Sequence, residues 1–510
     1  MRSRLKHLTT GVAIYGAGDA AIQVVNIALL AVYVKGNFLT SRDYGALAII
    51  GALEAFAKIA SRLGLDGAFM RYYHERGAHF ARFSSTIVWF LLACNTAVFG
   101  LALAFTGPIS ARVFDDPSYV TALRLMLINS YVIALTFVPF HAMRIERKAV
   151  TYSALTFART VGTLVLRLVF VIGLGYGLSG VYMADLVMTA VLVPLMWPWF
   201  KPYIRPVFSR EDLRTALRFG LPRVPHGLAQ QALDGGNKLL LGSQITQAQL
   251  GIYQNATTLG TGVKFFTSAF ETAWAPFYYA TSREADAAVT FAKVTTYGVA
   301  VLALLVAGTA AVAEDLIRLM LTPDYLPAVP VLPIVALGMA LQGVYLLTSI
   351  GLNLTSRTEF YPVSTFAAAA VGLGAGALLM PRYGAFGAAI AFLLSYATLA
   401  AMAFVFSQRL YPVTYERSRL VRIVASAAVA ALAARWLVPE LRPSLSFLAH
   451  GTVTVGVYAA LLGATGFLRA SERAILRDAI ARAKRGRKGT GRTAGSSAAE
   501  MSDRAPGGEL

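Results

Sequence analysis

Charged and amide side chains recur along one apolar stretch in the middle of the chain, at about residues 213–241. The members of this set are Arg223, His226, Gln230, Asp234, Asn237 and Lys238. At roughly 100° per residue they fall within one broad stripe of an α-helix, and Arg223 and Asp234 differ in heading by about 20°. Charges in a lipid-embedded helix are costly, so we expect the stripe to face protein or a water-filled cavity.

Three other predicted helices carry polar stripes of the same kind. The next helix, about residues 249–280, has Lys264 and Glu271 on one face, seven residues apart. In the second helix of the chain the spacing i, i+4, i+8 brings three charged side chains together, and in the first helix i, i+4, i+7 does the same for three polar ones. These residues are Glu54, Lys58 and Arg62, and Asp19, Gln23 and Asn26.

The cations in these stripes suit a phosphate that must cross a layer of low dielectric. Arg and Lys stabilise phosphate by charge-assisted hydrogen bonds, and we place Lys58, Arg223 and Lys264 at depth in the membrane. The polar side chains of the first helix suit sugar hydroxyls. The competing interpretation is that Glu54 neutralises Lys58, that Asp234 neutralises Lys238, and that the uncharged polar residues only hold helices together.

The sequence contains no motif typical of catalysis or of metal binding. There is no nucleotide-binding Gly-x-x-x-x-Gly-Lys motif and no pair of histidines at metal-ligand spacing. Cys94 is the single cysteine, which excludes an intrachain disulfide and a Cys-rich metal site. We therefore expect no cofactor, no metal and no enzymatic activity.

Composition indicates an integral membrane protein. The 510 residues are 56% hydrophobic and 14% charged, against about 25% charged in average soluble proteins. The net charge of +20 lies mainly in loops and in the C-terminal tail, which the positive-inside rule explains without any nucleic acid. No cleavable signal peptide is evident before the first long apolar run.

Fourteen apolar windows are long enough to be membrane-spanning helices. The windows lie at about 11–34, 43–61, 83–107, 117–143, 151–174, 178–200, 213–241, 249–280, 289–312, 327–350, 360–380, 383–407, 420–438 and 445–468.

The distribution of basic residues predicts that both termini are cytoplasmic. With the N-terminus inside, Lys and Arg are about threefold more frequent in the inner segments than in the outer loops.

The chain also contains an internal repeat. A shift of 206 residues aligns Gly45 with Gly251 and Lys58 with Lys264, and it aligns a later Pro-x-Tyr loop with a second one. A repeat of six helices preserves topology, so we predict two parallel lobes about an axis along the membrane normal. The predicted units are an N-lobe at 1–200, a linker at 201–218, a C-lobe at 219–410, two appended helices at 411–468 and a basic, disordered tail at 469–510.

Several short motifs resemble the polysaccharide-flippase branch of the multidrug/oligosaccharidyl-lipid/polysaccharide exporter superfamily. They occur in the family's order over about residues 10–410. The motifs are Gly11 to Gly18, Asp43-Tyr44-Gly45, the segment Gly64 to Tyr72, Gly220-Leu221-Pro222, Asn237-Lys238 and Gly251-Ile252-Tyr253. The sequence departs from the family at Asn237, where the family usually has an acidic residue beside its basic partner, and Asp234 lies nearly one turn earlier.

The resemblance implies a fold like that of the multidrug/cation (MATE) transporters, with all-α architecture and about fourteen membrane helices. It implies a flippase that moves a polyprenyl-phosphate-linked glycan across the bacterial inner membrane by alternating access, for lipopolysaccharide or exopolysaccharide. Implied partners are membrane lipids and the pathway's glycosyltransferases and polymerase, and a monomer is expected. The alternatives are a lipid II flippase, a multidrug/cation antiporter or, in a different class, a membrane-bound glycan transferase.

Overall fold

The computed structural model describes most of the chain between residues 29 and 467. The described ranges are 29–114, 116–146, 148–232, 246–282, 284–355, 357, 359–439 and 441–467. Within them all regular secondary structure is helical, and no β-strand occurs. The predicted all-α membrane fold is confirmed for this part of the chain.

The described residues contain eighteen α-helices, and residues 29–35 are also helical. Two of the α-helices, α15 and α9, are no longer than five residues. The helices are α1 Ser41–Ala60, α2 Leu65–Arg76, α3 Phe80–Ala104, α4 Thr106–Phe114, α5 Val120–Ile133, α6 Phe137–Ile145, α7 Ala149–Arg167, α8 Gly177–Leu195, α9 Trp197–Phe200, α10 Arg210–Gly220, α11 Arg223–Gln231, α12 Gln247–Thr281, α13 Ala287–Met320, α14 Val331–Thr348, α15 Ile350–Leu354, α16 Phe360–Leu410, α17 Arg417–Leu437 and α18 Pro443–Ala464.

The described residues contain eight helices that are long and apolar enough to cross a membrane, or nine when α5 and α6 count as one span bent by 43°. The chain is therefore a multi-pass membrane protein. The predicted count of fourteen is not confirmed. α1 and α12, which carry predicted polar stripes, are not among these eight helices. α16 is one of the eight, although Gly384 (φ 54°, ψ −130°) breaks it in two.

The start of α1 is fixed by a capping box. The Thr40 hydroxyl accepts from the Asp43 amide, and the Asp43 carboxylate accepts from the Thr40 amide at 2.8 Å, which satisfies two helix-end donors. The Tyr119 hydroxyl also donates to Asp43, at 3.1 Å. These contacts hold the first turn of α1 against the start of α5.

α1 packs along α12, and the two helices approach most closely at a pair of glycines. A Cβ placed on Gly45 would overlap the backbone of Gln247, and one placed on Gly251 would overlap the Ser41 carbonyl. Only glycine leaves room for backbones this close. The crossing therefore sets the distance between the two helices at their N-terminal ends.

One predicted helix is wrong. The sequence predicted a single membrane helix over about residues 213–241, but α10 ends at Gly220 and α11 begins at Arg223. Pro222 and Pro225 lack the backbone N–H that a continuous helix would need at these positions. α10 is a separate amphipathic helix, and Arg223 opens α11 instead of lying at the middle of a span.

The appended helices α17 and α18 pack against α13. The Tyr458 hydroxyl donates to the Ala300 carbonyl at 2.9 Å, and His450 Nδ1 lies 2.7 Å from Asp315 Oδ2. The guanidinium of Arg419, on α17, lies 5.4 Å from the ring centre of Tyr297 on α13. These contacts fasten both helices to one side of the bundle.

Candidate functional site

A cavity of about 460 Å³ lies among helices from both predicted repeats. α1, α7 and α8 contribute one wall, and α11, α12, α14 and α16 contribute the other. Its polar lining residues are Glu54, Arg167, Tyr182, Asp185, Gln231, Gln254, Thr257, Thr258, Thr261, Lys264 and Gln342. The structure thus brings together the predicted residues Glu54 and Lys264, from helices that the sequence predicted to line a cavity.

An ion pair on the cavity wall joins α7 to α8. Arg167 Nη2 donates to both carboxylate oxygens of Asp185, at 3.0 and 2.9 Å. The side chains are only 29% and 17% exposed, so solvent screens the pair less than a surface salt bridge. The pair therefore holds opposite charges at the cavity wall.

Glu54 and Lys264 add one negative and one positive charge to the same cavity. Among the described residues, neither forms a salt bridge, and Glu54 does not pair with Lys58. With Arg167 and Asp185, the cavity has two cations and two anions. The described lining of the cavity is therefore balanced in charge.

Threonines on α12 give the opposite wall a row of hydrogen-bond acceptors. The Thr257 hydroxyl donates to the Tyr253 carbonyl at 2.8 Å, and the Thr258 hydroxyl donates to the Gln254 carbonyl at 3.0 Å. A hydroxyl that donates to its own helix keeps lone pairs available for a ligand. Together with the amides of Gln231, Gln254 and Gln342, this wall suits a ligand rich in hydroxyl groups.

A second cavity, of about 250 Å³, lies at the C-terminal end of α1. It is lined by Lys58, Arg62 and Asp66, and by the backbone region of Gly64 and Val224. Arg62 meets Asp66 only at 3.9 Å, and its Nε is buried without a hydrogen-bond partner. Lys58 and Arg62 therefore belong to this cavity, and the structure does not place Lys58 in the central cavity with Lys264.

The remaining predicted site residues divide into three groups. Glu271 is on α12, exposed and outside the lining of the central cavity. Arg223, His226 and Gln230 are on α11, whose C-terminal residue Gln231 reaches the cavity, but the structure describes only their backbone. Residues Asp19, Gln23, Asn26, Asp234, Asn237 and Lys238 lie outside the described residues.

Asp185 is one of the cavity residues that were not predicted from the sequence. The predicted sites are stripes of several polar residues, whereas Asp185 is the lone carboxylate of an otherwise apolar span. A single ionisable residue within a membrane helix is itself a signal of function. That rule would have selected Asp185 from the sequence.

The comparisons with known proteins identify the family. Residues 37–330, more than half of the chain, match the family described as polysaccharide biosynthesis protein. The chain belongs to this family, as the sequence motifs predicted. A comparison with curated protein sequences finds no match.

Solved structures share the fold at low sequence identity. The lipid II flippase MurJ, in an inward closed conformation, is 14% identical with a TM-score of 0.64, covering 86% of this chain and 97% of MurJ. An inward-facing multidrug resistance MATE transporter of the MOP superfamily is 16% identical with a TM-score of 0.60, covering 79% and 96%. A MATE transporter from Vibrio cholerae is 14% identical with a TM-score of 0.55, covering 80% and 97%. The predicted MATE-like fold is confirmed.

Proposed function

We propose that the protein is a flippase that moves a lipid-linked oligosaccharide or polysaccharide precursor across the bacterial inner membrane by alternating access. The observation that carries this proposal is the central cavity, where charged and hydroxyl-bearing side chains from both predicted repeats meet among membrane helices. Membership of the polysaccharide biosynthesis family supports a glycan as the cargo. The fold shared with a lipid II flippase supports a lipid carrier.

We expect the two cavities to bind different parts of such a substrate. The threonines and amides of the central cavity suit glycan hydroxyls, while Lys58 and Arg62 suit a phosphate or pyrophosphate. Glu54 and Arg62 are eight residues apart on or just beyond α1, which is about 12 Å along a helix. A glycan in the central cavity and its phosphate in the second cavity would lie next to each other.

The orientation follows from the distribution of Lys and Arg, which assigns both termini and the end of α1 to the cytoplasm. Lys58 and Arg62 then lie near the inner face, where a lipid-linked precursor made in the cytoplasm would enter.

We propose that the protein acts as a transporter and not as a glycan transferase. The described residues that line its cavity offer binding groups but no arranged nucleophile and base.

The test is complementation of a strain that lacks its own copy of the gene. Wild-type protein should restore glycan display at the cell surface, and Lys264→Glu should reduce display while the protein remains abundant in the membrane. Glycan display unaffected by Lys264→Glu and by Glu54→Lys, each at normal abundance, would eliminate the cavity as the route. Turnover of labelled sugar donors by the purified protein would favour the transferase instead.

A further inference from the structure

The linker helix α10 carries two stripes of opposite character. Asp212, Ala216 and Gly220 are buried at i, i+4 and i+8. Arg210, Arg214 and Arg218 have the same spacing, begin two residues earlier and are exposed. Two residues correspond to about 200° on a helix, so the arginines point away from the face that packs on the protein.

The buried stripe is fastened to the N-terminal part of the bundle. Asp212 is 1% exposed and receives Arg82 Nε at 2.9 Å, and Arg76 Nη1 lies 3.2 Å from its other oxygen. Gly220 lies against Gly64, where a Cβ on either residue would meet the other's backbone. α10 is therefore held in place whether or not its outer face is occupied.

The exposed arginines have no carboxylate partner among the described residues. None of the three forms an ion pair within the part of the chain that the structure describes, whereas Arg76 and Arg82 share Asp212. Three unpaired guanidinium groups within about 12 Å of helix repel one another. An anionic partner would relieve that repulsion.

Contacts with α3 hold this helix near the beginning of a membrane span, where we expect lipid headgroups. The segment leading into α10 runs along the first turns of the membrane span α3: the Arg205 amide donates to Ser85 Oγ at 2.7 Å, and the Trp89 indole donates to the Arg205 carbonyl at 2.8 Å. Trp89 is 41% exposed, and Phe208, just before the helix, is 51% exposed. Half-exposed aromatic side chains at the end of a span are typical of the membrane–water boundary.

We propose that Arg210, Arg214 and Arg218 form a docking stripe for anionic phospholipid headgroups of the cytoplasmic leaflet. Amphipathic helices with arginines on the polar face and an aromatic side chain nearby bind such surfaces. Since α10 leads directly into α11 of the cavity, a lipid held here touches the segment that joins the predicted lobes. This inference does not depend on what the cavity transports.

The experiment measures binding of phosphatidylglycerol and phosphatidylcholine to the purified full-length protein by native mass spectrometry. Wild type should prefer phosphatidylglycerol. The triple variant Arg210→Gln, Arg214→Gln, Arg218→Gln should bind it on the order of a hundredfold more weakly, from roughly fivefold per arginine. The triple Lys variant should retain the preference, because the surface field recognises charge.

The matched control removes three exposed arginines that the Lys and Arg distribution assigns to outer loops, by Arg382→Gln, Arg435→Gln and Arg442→Gln. This control should bind phosphatidylglycerol like wild type. Equal loss in both triple variants would overturn the docking stripe and indicate a general charge effect. Phosphatidylglycerol binding by the α10 triple variant at the wild-type level would overturn it as well. Unchanged thermal unfolding of the α10 variant shows that α10 remains folded.

Discussion

Gly45 and Gly251 lie against each other where α1 crosses α12. A Cβ on Gly251 would be 3.4 Å from the Gly45 nitrogen and would overlap the Ser41 carbonyl. These two glycines are also equivalent under the 206-residue shift of the internal repeat. A twofold axis between the predicted lobes would bring two equivalent positions into contact in this way. In the proposed orientation, the contact lies at the outer end of the cavity.

Filling this crossing should separate the helices and impair transport. We expect Gly251→Val to lower the free energy of unfolding by about 1–3 kcal/mol, the usual cost of overpacking, and to reduce glycan display. Thermal unfolding in detergent and surface glycan staining measure the two effects.

A matched control for the glycine crossing lies on α12. An added Cβ at Gly262 would have no atom within 4 Å, and Gly262 does not line the central cavity. Gly262→Val should leave stability nearly unchanged. A Gly251→Val protein as stable and active as Gly262→Val would show that the close approach is not needed.

Breaking the ion pair at the cavity wall should cost both stability and activity. Asp185→Asn leaves Arg167 without its charged partner in a largely buried place, and we expect a loss of about 1–3 kcal/mol of unfolding free energy. Asp185→Glu should retain much of both properties. As a control, Glu314→Gln breaks an ion pair of 2.7 Å whose side chains are 52% and 46% exposed, which should cost less than about 1 kcal/mol. Equal effects of the two neutral variants would contradict a special role for the cavity pair.

The sequence predicted the membrane class, the family and two of the cavity's charged residues, because these depend on composition and on helical spacing. Glu54 and Lys264 were found from their stripes. The break at Pro222 was missed because hydropathy alone does not distinguish a bent or interrupted helix from a straight one. The assignment of Lys58 to a separate cavity could not be predicted, since equivalence in a repeat says nothing about which neighbouring helix closes a pocket around a side chain.

We predict that phosphate binding in the second cavity needs both Lys58 and Arg62. We expect Lys58→Gln with Arg62→Gln to reduce glycan display by about tenfold or more, since a charge-assisted hydrogen bond to phosphate contributes about 1.5–3 kcal/mol. Arg42→Gln, which removes a 53% exposed arginine on the same helix, should have little effect. Normal display by the double variant at normal abundance would remove the phosphate assignment.

The carboxylate of Glu146, which lies outside the membrane-spanning segments, should make the stability of the protein depend on pH. The Tyr203 hydroxyl donates to Glu146 Oε1 at 2.6 Å, and Lys148 Nζ lies 2.6 Å from Oε2. Burial raises the pKa of Glu146, but the hydrogen bonds from Lys148 and Tyr203 outweigh it, so the pKa is lowered from its ordinary value of 4.5. Because the folded pKa is the lower one, the stabilisation is complete above pH 4.5 and is lost as pH falls through the folded pKa.

Glu146→Gln should therefore lower the thermal midpoint at neutral pH, by an amount equivalent to about 1 kcal/mol. The difference from wild type should shrink as the pH falls below about 4.5, because wild type loses the same interaction. Thermal unfolding in detergent across this range measures it. A difference that stays constant with pH would show that the charge of Glu146 is not what stabilises the contact.

The most direct test of a lipid-linked glycan flippase is translocation by the purified protein in proteoliposomes. A fluorescent lipid-linked oligosaccharide is placed in the leaflet facing the cytoplasmic side of the protein, and a membrane-impermeant glycosidase reports its arrival in the other leaflet. We expect the wild-type protein to make the glycan accessible to the glycosidase in the other leaflet. Asp185→Asn and Lys264→Glu should slow this step, and Gly262→Val should not. Exposure no faster than in protein-free liposomes, or equal rates for wild type and both cavity variants, would contradict the account.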